Sequence, residues 1–297
     1  MVYDISAPGK TPRVTVVLTT YKRANVVAST VEAILSQSYS DFELIISDDA
    51  SPDDTEEICR TFVETDGRVS YRRNDRNLGM PGNLIAAIAG AKGDYLAVLH
   101  DGDGYVPVLL ERWVAALDAC PDAGFVFNAY SGLDAEGSVK VTFREPLGSC
   151  QPGGVLLERI FFRRWRFDSP VWGTTMMRRS SYESVGGLDP RFGPFADVDL
   201  WLRIAERYAV AYVPEAVISL PSREALPRAF QLKPREEEHT VERMFLEARM
   251  RHFADRRMRL GAELFRHGAF VACSRVHRWL LRSRRSVLSR LDTKMMV

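Results

Sequence analysis

Gly93-Asp94-Tyr95-Leu96-Ala97-Val98-Leu99-His100-Asp101-Gly102-Asp103-Gly104-Tyr105 joins an apolar run to an acidic loop. Tyr95 to Leu99 has strand length, and an apolar run this short between glycines favours a buried strand over a helix. The acids come where the strand ends. Gly102 and Gly104 make the loop tight and let backbone approach a ligand. Two carboxylates one residue apart on such a loop can direct oxygens at a hard divalent cation bridging phosphates, whereas a turn of solvated acids is the plainer reading of the triplet alone.

The same strand-loop-helix unit recurs on either side. Upstream, Arg13 to Thr20 is a β-branched strand, followed by Val27, Val31, Ile34 and Leu35 at helical spacing. Phe42 to Ser47 is a second strand. After it, Ser51 is read as an N-cap, Pro52 as the first helical residue and Asp54 as the capping-box acid, before Ile58 and Phe62. Val69 to Tyr71 leads through a loop at 77–83 to a helix with Leu84, Ile85 and Ile88. Downstream of the acidic loop, Leu109, Leu110, Trp113, Val114 and Leu117 mark another helix.

This alternation predicts an α/β fold with a Rossmann-like, mostly parallel sheet flanked by helices. Ligands of such sheets bind beyond the carboxyl ends of the strands. Thr19, Thr20 and Tyr21, then Asp48 and Asp49, then His100, Asp101 and Asp103 all fall at such ends, so three strand ends converge on one crevice. There Asp48 or Asp49 could accept the N3 proton of uracil or thymine, Tyr21 could stack on the base, and Lys22 or Arg23 could meet a diphosphate. As acids opening a helix, Asp48 and Asp49 also have a purely structural reading.

Past Asn128 the alternation weakens. A hairpin at 134–137, a helix at 155–162, an aromatic and cationic stretch at 163–172, a strand at 174–177, a Gly-Gly-Leu-Asp turn at 186–189 and a helix from about Asp197 follow, with strands at 210–213 and 217–220. Trp201 shares a helical face with Ile204 and is read as core. Trp165, Arg166 and Trp172 are candidate acceptor contacts.

The strings VVLTTYKR, DFELIISDDASPDDT, RNLGMPGN, GDYLAVLHDGDGYVP, VGGLDPRF and DVDLWLRIA, in this order, resemble family 2 glycosyltransferases of the GT-A fold over roughly residues 13–220. The resemblance implies an inverting, metal-dependent transferase that moves a sugar from a nucleotide-diphosphate sugar to a hydroxyl acceptor with Mg²⁺ or Mn²⁺. It implies that Thr19, Tyr21 and Asp49 hold the nucleoside. Thr20, Arg23, Asp48, Asn83, His100 and Asp101 complete the candidate donor-binding set. Asp101 and Asp103 become the metal-diphosphate motif, and Asp197 the catalytic base. Where the family often carries Glu-Asp before the late helix, Ala196-Asp197 stands here, so Asp199 is an alternative base and an N-cap is the structural reading of Asp197. The expected organisation is a GT-A domain at 1–222, with a nucleotide-sugar half at 13–105 and an acceptor half at 106–222, then a basic helical extension at 223–297.

Composition restricts the classes. The 297 residues are 46% hydrophobic and 27% charged, enough for a sizeable core, and no long uncharged apolar run suggests a membrane span or signal segment. The expected location is therefore the cytoplasm. Cys59, Cys120, Cys150 and Cys273 lack paired spacing and read as isolated thiols of a reducing compartment. The net charge is +1, yet residues 243–297 hold 14 Lys/Arg against 4 Asp/Glu. That basic tail is expected to pack on the catalytic domain or a second subunit, with peripheral contact to the inner face of an anionic membrane as the rival reading. Nucleic-acid binding is not expected, for no motif accompanies the charge. A nucleotidyltransferase should show a Gly-rich phosphate loop near the first strand, which TTYKR lacks. A noncatalytic nucleotide-sugar-binding or scaffold protein is the remaining alternative.

Overall fold

The structure is a computed structural model that describes residues 2–3, 11–162, 174–221, 240, 243–248 and 250–252. The chain divides into two compact units, Met1–Ala248 and Arg249–Val297, and nearly all described residues belong to the first. Trp165, Arg166, Trp172 and most of the basic tail lie outside the described residues.

In chain order, β1 (Val2–Tyr3) precedes β2 (Val14–Thr20), α1 (Val27–Leu35), β3 (Phe42–Asp48), α2 (Thr55–Thr65), β4 (Val69–Arg73), α3 (Gly79–Ile88) and β5 (Tyr95–His100). Then come β6 (Gly104–Tyr105), α4 (Leu109–Ala119), β7 (Ala123–Leu133), β8 (Val139–Phe143), β9 (Cys150–Pro152), α5 (Gly153–Phe162), β10 (Thr175–Arg178) and α6 (Arg179–Ser184). A 3₁₀ segment at Pro190–Phe195 leads into α7 (Ala196–Arg207), and β11 (Ala209–Leu220) completes the set.

One sheet runs β1-β4-β3-β2-β5-β10-β7-β11-β6, with β8 on β7 and β9 on β11. β4, β3, β2 and β5 are mutually parallel, as are β7 and β11, and β10 runs antiparallel between these two groups. Strand β2 is buried on both faces, as expected where helices cover both sides of a parallel sheet. Val14, Val16 and Leu18 face a core shared with Val31 and Ile34 of α1 and Trp113 of α4, while α3, α5 and α7 cover the other face.

Several local expectations change. Helix α2 begins at Thr55 rather than near Ser51, because the Ser51 hydroxyl accepts from the Lys22 amide at 2.9 Å and Asp53 bonds the Thr55 hydroxyl. Helix α3 absorbs the loop at 79–83, since Pro81 falls in its first turn, where a missing N–H costs nothing. The two expected strands at 210–220 are one bulged strand, β11.

The isolated-thiol reading fails for Cys120 and Cys150, which are joined by a disulfide with Cα atoms 5.7 Å apart. Strand pairing explains the approach: β9 lies on β11 with Cys150 opposite Ala211, and β11 places Ala209 opposite Ala123, just past Cys120. Cys59 is a buried thiol, with burial pushing it up to about 12.

Candidate active site

The carboxyl ends of β2, β3 and β5 meet in one crevice, in register: Thr19 pairs with both Ser47 and His100, and Thr20 with Asp48. The chain leaves β2 and β3 through two non-glycine residues of left-handed backbone, Lys22 at φ 56° and Ala50 at φ 63°. Such conformations persist only where surroundings hold them, here the bond between the Lys22 amide and Ser51. Thr19 and Tyr21 are partly exposed at this mouth, and Thr20 is buried.

The two acids after β3 are bonded to protein. Asp48 is fully buried; one oxygen accepts from the Ser51 amide at 2.9 Å and the other from the Tyr71 hydroxyl at 2.7 Å. Asp49 accepts from Asn74 Nδ2 and the Leu78 amide at 2.8 Å each, and from the Gly79 amide at 2.9 Å, so it ties β3 to the start of α3. Asn83 is also buried, between Ser47 and Asn74. Asp48 and Asn83 thus form the floor of the crevice. Of Asp49, the second oxygen has one protein donor, which leaves it room for another.

The acidic loop after β5 is held from several sides. Arg23 donates from Nε to the Asp101 carboxylate at 2.9 Å and from Nη2 to the Asp101 carbonyl at 3.0 Å. Gly102, at φ 89°, lets the guanidinium in, and its amide donates to the Thr30 hydroxyl at 3.2 Å. Asp103 accepts from the Thr174 hydroxyl at 3.1 Å. Burial raises Asp101, with Arg23 opposing it, and pushes Asp103 up to about 6, with Asp101 adding to the rise and His100 opposing it.

Asp197 lies in the first turn of α7 and its side chain caps no helix; it accepts from the adjacent Val198 amide at 2.7 Å. Burial raises this carboxyl, and the His100 imidazole opposes the rise. His100 therefore stands within electrostatic reach of Asp101, Asp103 and Asp197 together. Asp199 faces a different task. It pairs with Arg203 at 2.7 Å, and that guanidinium donates to the Val185 and Gly187 carbonyls at 2.8 and 2.7 Å, fixing the Gly-Gly turn.

Asp101 and Asp103 fit a divalent cation on charge grounds: both carboxyls are raised by burial, Asp101 further disfavours ionisation of Asp103, and Arg23, which also opposes the rise of Asp103, forms its ion pair with Asp101. Among the described residues, no three acids, histidines or cysteines form a ready cage. Residues that sequence reasoning passed over include Thr30 and Thr174, both distant in sequence from the loop they hold, and Tyr105, whose hydroxyl bonds the His100 backbone. Only Tyr105 carried a signal, as an aromatic beside the motif.

Residues 15–186 match the profile described as glycosyl transferase family 2. The chain belongs to glycosyl transferase family 2. Among its relatives in that family is the "Putative glycosyltransferase EpsE" of Bacillus subtilis, 31% identical over 198 residues that span 66% of this chain and 67% of that one. The "UDP-Glc:alpha-D-GlcNAc-diphosphoundecaprenol beta-1,3-glucosyltransferase WfaP" of Escherichia coli is 30% identical over 129 residues, 43% of this chain and 49% of that protein. The crystal structure of S. aureus TarS 1-349 in complex with UDP-GlcNAc superposes with a TM-score of 0.61 at 16% identity, covering 82% of this chain and 73% of that one. The fold of this family 2 glycosyltransferase is GT-A, and among its described residues no helix is long and apolar enough to cross a membrane.

Proposed function

We propose that this glycosyltransferase moves a sugar, with inversion, from a uridine or thymidine diphospho-sugar to a hydroxyl acceptor. The observation that carries the reading is that Asp101 and Asp103 of the acidic loop and Asp197 of α7 all lie within electrostatic reach of His100 at the end of β5. Inversion is a single displacement at the anomeric carbon, and it needs a base on the acceptor side and charge neutralisation on the leaving diphosphate side. Asp197, raised by burial toward working pH, is suited to take the acceptor proton. Asp199 is not, because Arg203 engages it.

Asp103 and Asp101 would hold Mg²⁺ or Mn²⁺, with the remaining ligands from diphosphate and water. When bound, that cation would neutralise charge developing on the leaving diphosphate. His100 would add a hydrogen-bond donor beside the same phosphates. Arg23 acts on Asp101 rather than directly on phosphate, so its part is to hold the loop. Asp49, Thr19 and Tyr21 would contact the nucleoside, and Asp48 and Asn83 would support them from below.

WfaP carries a diphosphoundecaprenol acceptor in its name. By analogy, a lipid-linked saccharide of cell-envelope polysaccharide synthesis is the acceptor class proposed here. Titration calorimetry with UDP, dTDP and GDP, each with and without Mn²⁺, tests the donor site. Metal-dependent binding of UDP or dTDP, abolished in Asp103→Asn, is the expected result. No binding of any of the three would move the scaffold reading ahead.

A further inference from the structure

Tyr105 lies in the two-residue strand β6, just past the acidic loop. Its hydroxyl donates to the His100 carbonyl at 2.6 Å and accepts from the His100 amide at 2.8 Å. One phenol thus engages both backbone groups of the residue at which the loop departs. Behind it, β6 pairs with β11 through Tyr105 opposite Ile218 and Gly104 opposite Ser219. A Cβ on Gly104 would meet the Ser219 hydroxyl, which would have to turn away. Arg23, Thr30 and Thr174 each hold one residue within the loop, whereas Tyr105 holds its two ends at one spacing.

We infer that Tyr105 is a positioning residue for the cation and diphosphate subsite, setting the separation of the Asp101 and Asp103 carboxylates and the direction of His100. The inference rests on the donor-site reading above. Tyr105→Phe keeps the ring in the core but removes both bonds, and groups that orient metal ligands typically govern affinity by roughly 10- to 100-fold.

The test compares the parent chain, Tyr105→Phe and Tyr212→Phe by calorimetric titration of UDP across a Mn²⁺ series. Tyr212 is the control, a buried tyrosine whose hydroxyl accepts from the Glu145 amide at 2.9 Å outside the crevice. Tyr105→Phe is expected to need roughly tenfold more Mn²⁺ for half-maximal UDP binding, with Mn²⁺-independent binding unchanged and Tyr212→Phe like the parent. An unaltered Mn²⁺ requirement in Tyr105→Phe, or an equal rise in Tyr212→Phe, overturns the inference while leaving the donor site standing. Failure of the parent to bind UDP overturns the donor-site reading and this inference with it. Hydrogen exchange of the parent chain gives a second reading that survives misfolding of the variant. The His100 amide is expected to be protected without nucleotide or cation, and rapid exchange there overturns the inference.

Discussion

Arg23 grips Asp101 twice, through the carboxylate at 2.9 Å and the backbone carbonyl at 3.0 Å, and so ties the chain leaving the first long strand to the acidic loop after β5. Lysine has the charge but not the planar fork. Arg23→Lys is therefore expected to weaken Mn²⁺-dependent UDP binding by roughly tenfold, as loss of a group orienting a metal ligand does. Binding equal to the parent's in the same titration would refute that role.

Gly102 faces the same guanidinium. A Cβ there would stand 2.6 Å from Arg23 Nη2, at a φ of 89° that other residues seldom adopt. Gly102→Ala should lower stability by on the order of 1–3 kcal/mol, read as a depressed melting temperature. A variant melting with the parent would show that the loop adapts.

Asp197 and Asp199 should separate cleanly. Asp197→Asn is expected to cut kcat by about 10²- to 10⁴-fold while UDP still binds. Asp199→Asn breaks a buried pair and should cost roughly 3 kcal/mol or more in urea unfolding, with kcat of the folded fraction nearly intact. The reverse pattern would exchange their roles.

The rise of Asp103 from 3.8 to about 6 sets a pH window. The folded chain holds this proton more tightly than the unfolded chain, so the associated stability is present below about 4 and lost as pH rises through about 6. Cation and proton compete for the carboxylate, so cation affinity runs the other way and grows over that interval. Mn²⁺ with UDP should therefore raise the melting temperature more at pH 7.5 than at pH 5. Equal shifts at both pH values would argue against Asp103 as a ligand.

The Cys120–Cys150 bond closes a loop with a sequence separation of 30 residues. By loop entropy it should contribute roughly 3–4 kcal/mol. Dithiothreitol should reproduce, in the parent, the unfolding midpoint of Cys150→Ser. Alkylation of the native, unreduced chain should spare Cys59 as well, because its thiol is buried and hard to ionise. Rapid labelling of Cys120 and Cys150 before reduction would contradict the pairing.

The donor-side architecture was legible because each strand there is an apolar run of distinct length and each helix has its own period. Asp101 and Asp103 could be proposed from their spacing after a strand, and Asp197 from the resemblance of DVDLWLRIA. Hydrogen-bond partners could not. Asp48 stands at the expected strand end, whereas Asn83, expected in a loop, lies within α3, and Tyr71, Ser51 and Asn74 engage the two inside the protein. Ser51 was misread for the same reason: its hydroxyl serves Lys22, a residue 29 positions away. The disulfide was hidden because sequence spacing says nothing of the pairing that lays β9 on β11.

Strand β6 has a further consequence for how the sheet ends. In sheet order it is four places beyond β5, about 19 Å if the strands lay flat at ~4.8 Å apiece. Yet a hydroxyl of β6 touches the backbone of β5 at 2.6 Å. The far border must therefore curl back until it lies against the middle of its own sheet at the crevice. There the described border is a strand of only two residues, a row of amides and carbonyls too short to invite extension by another chain. The loop with the greatest chemical burden is thereby also the hem that finishes the fabric.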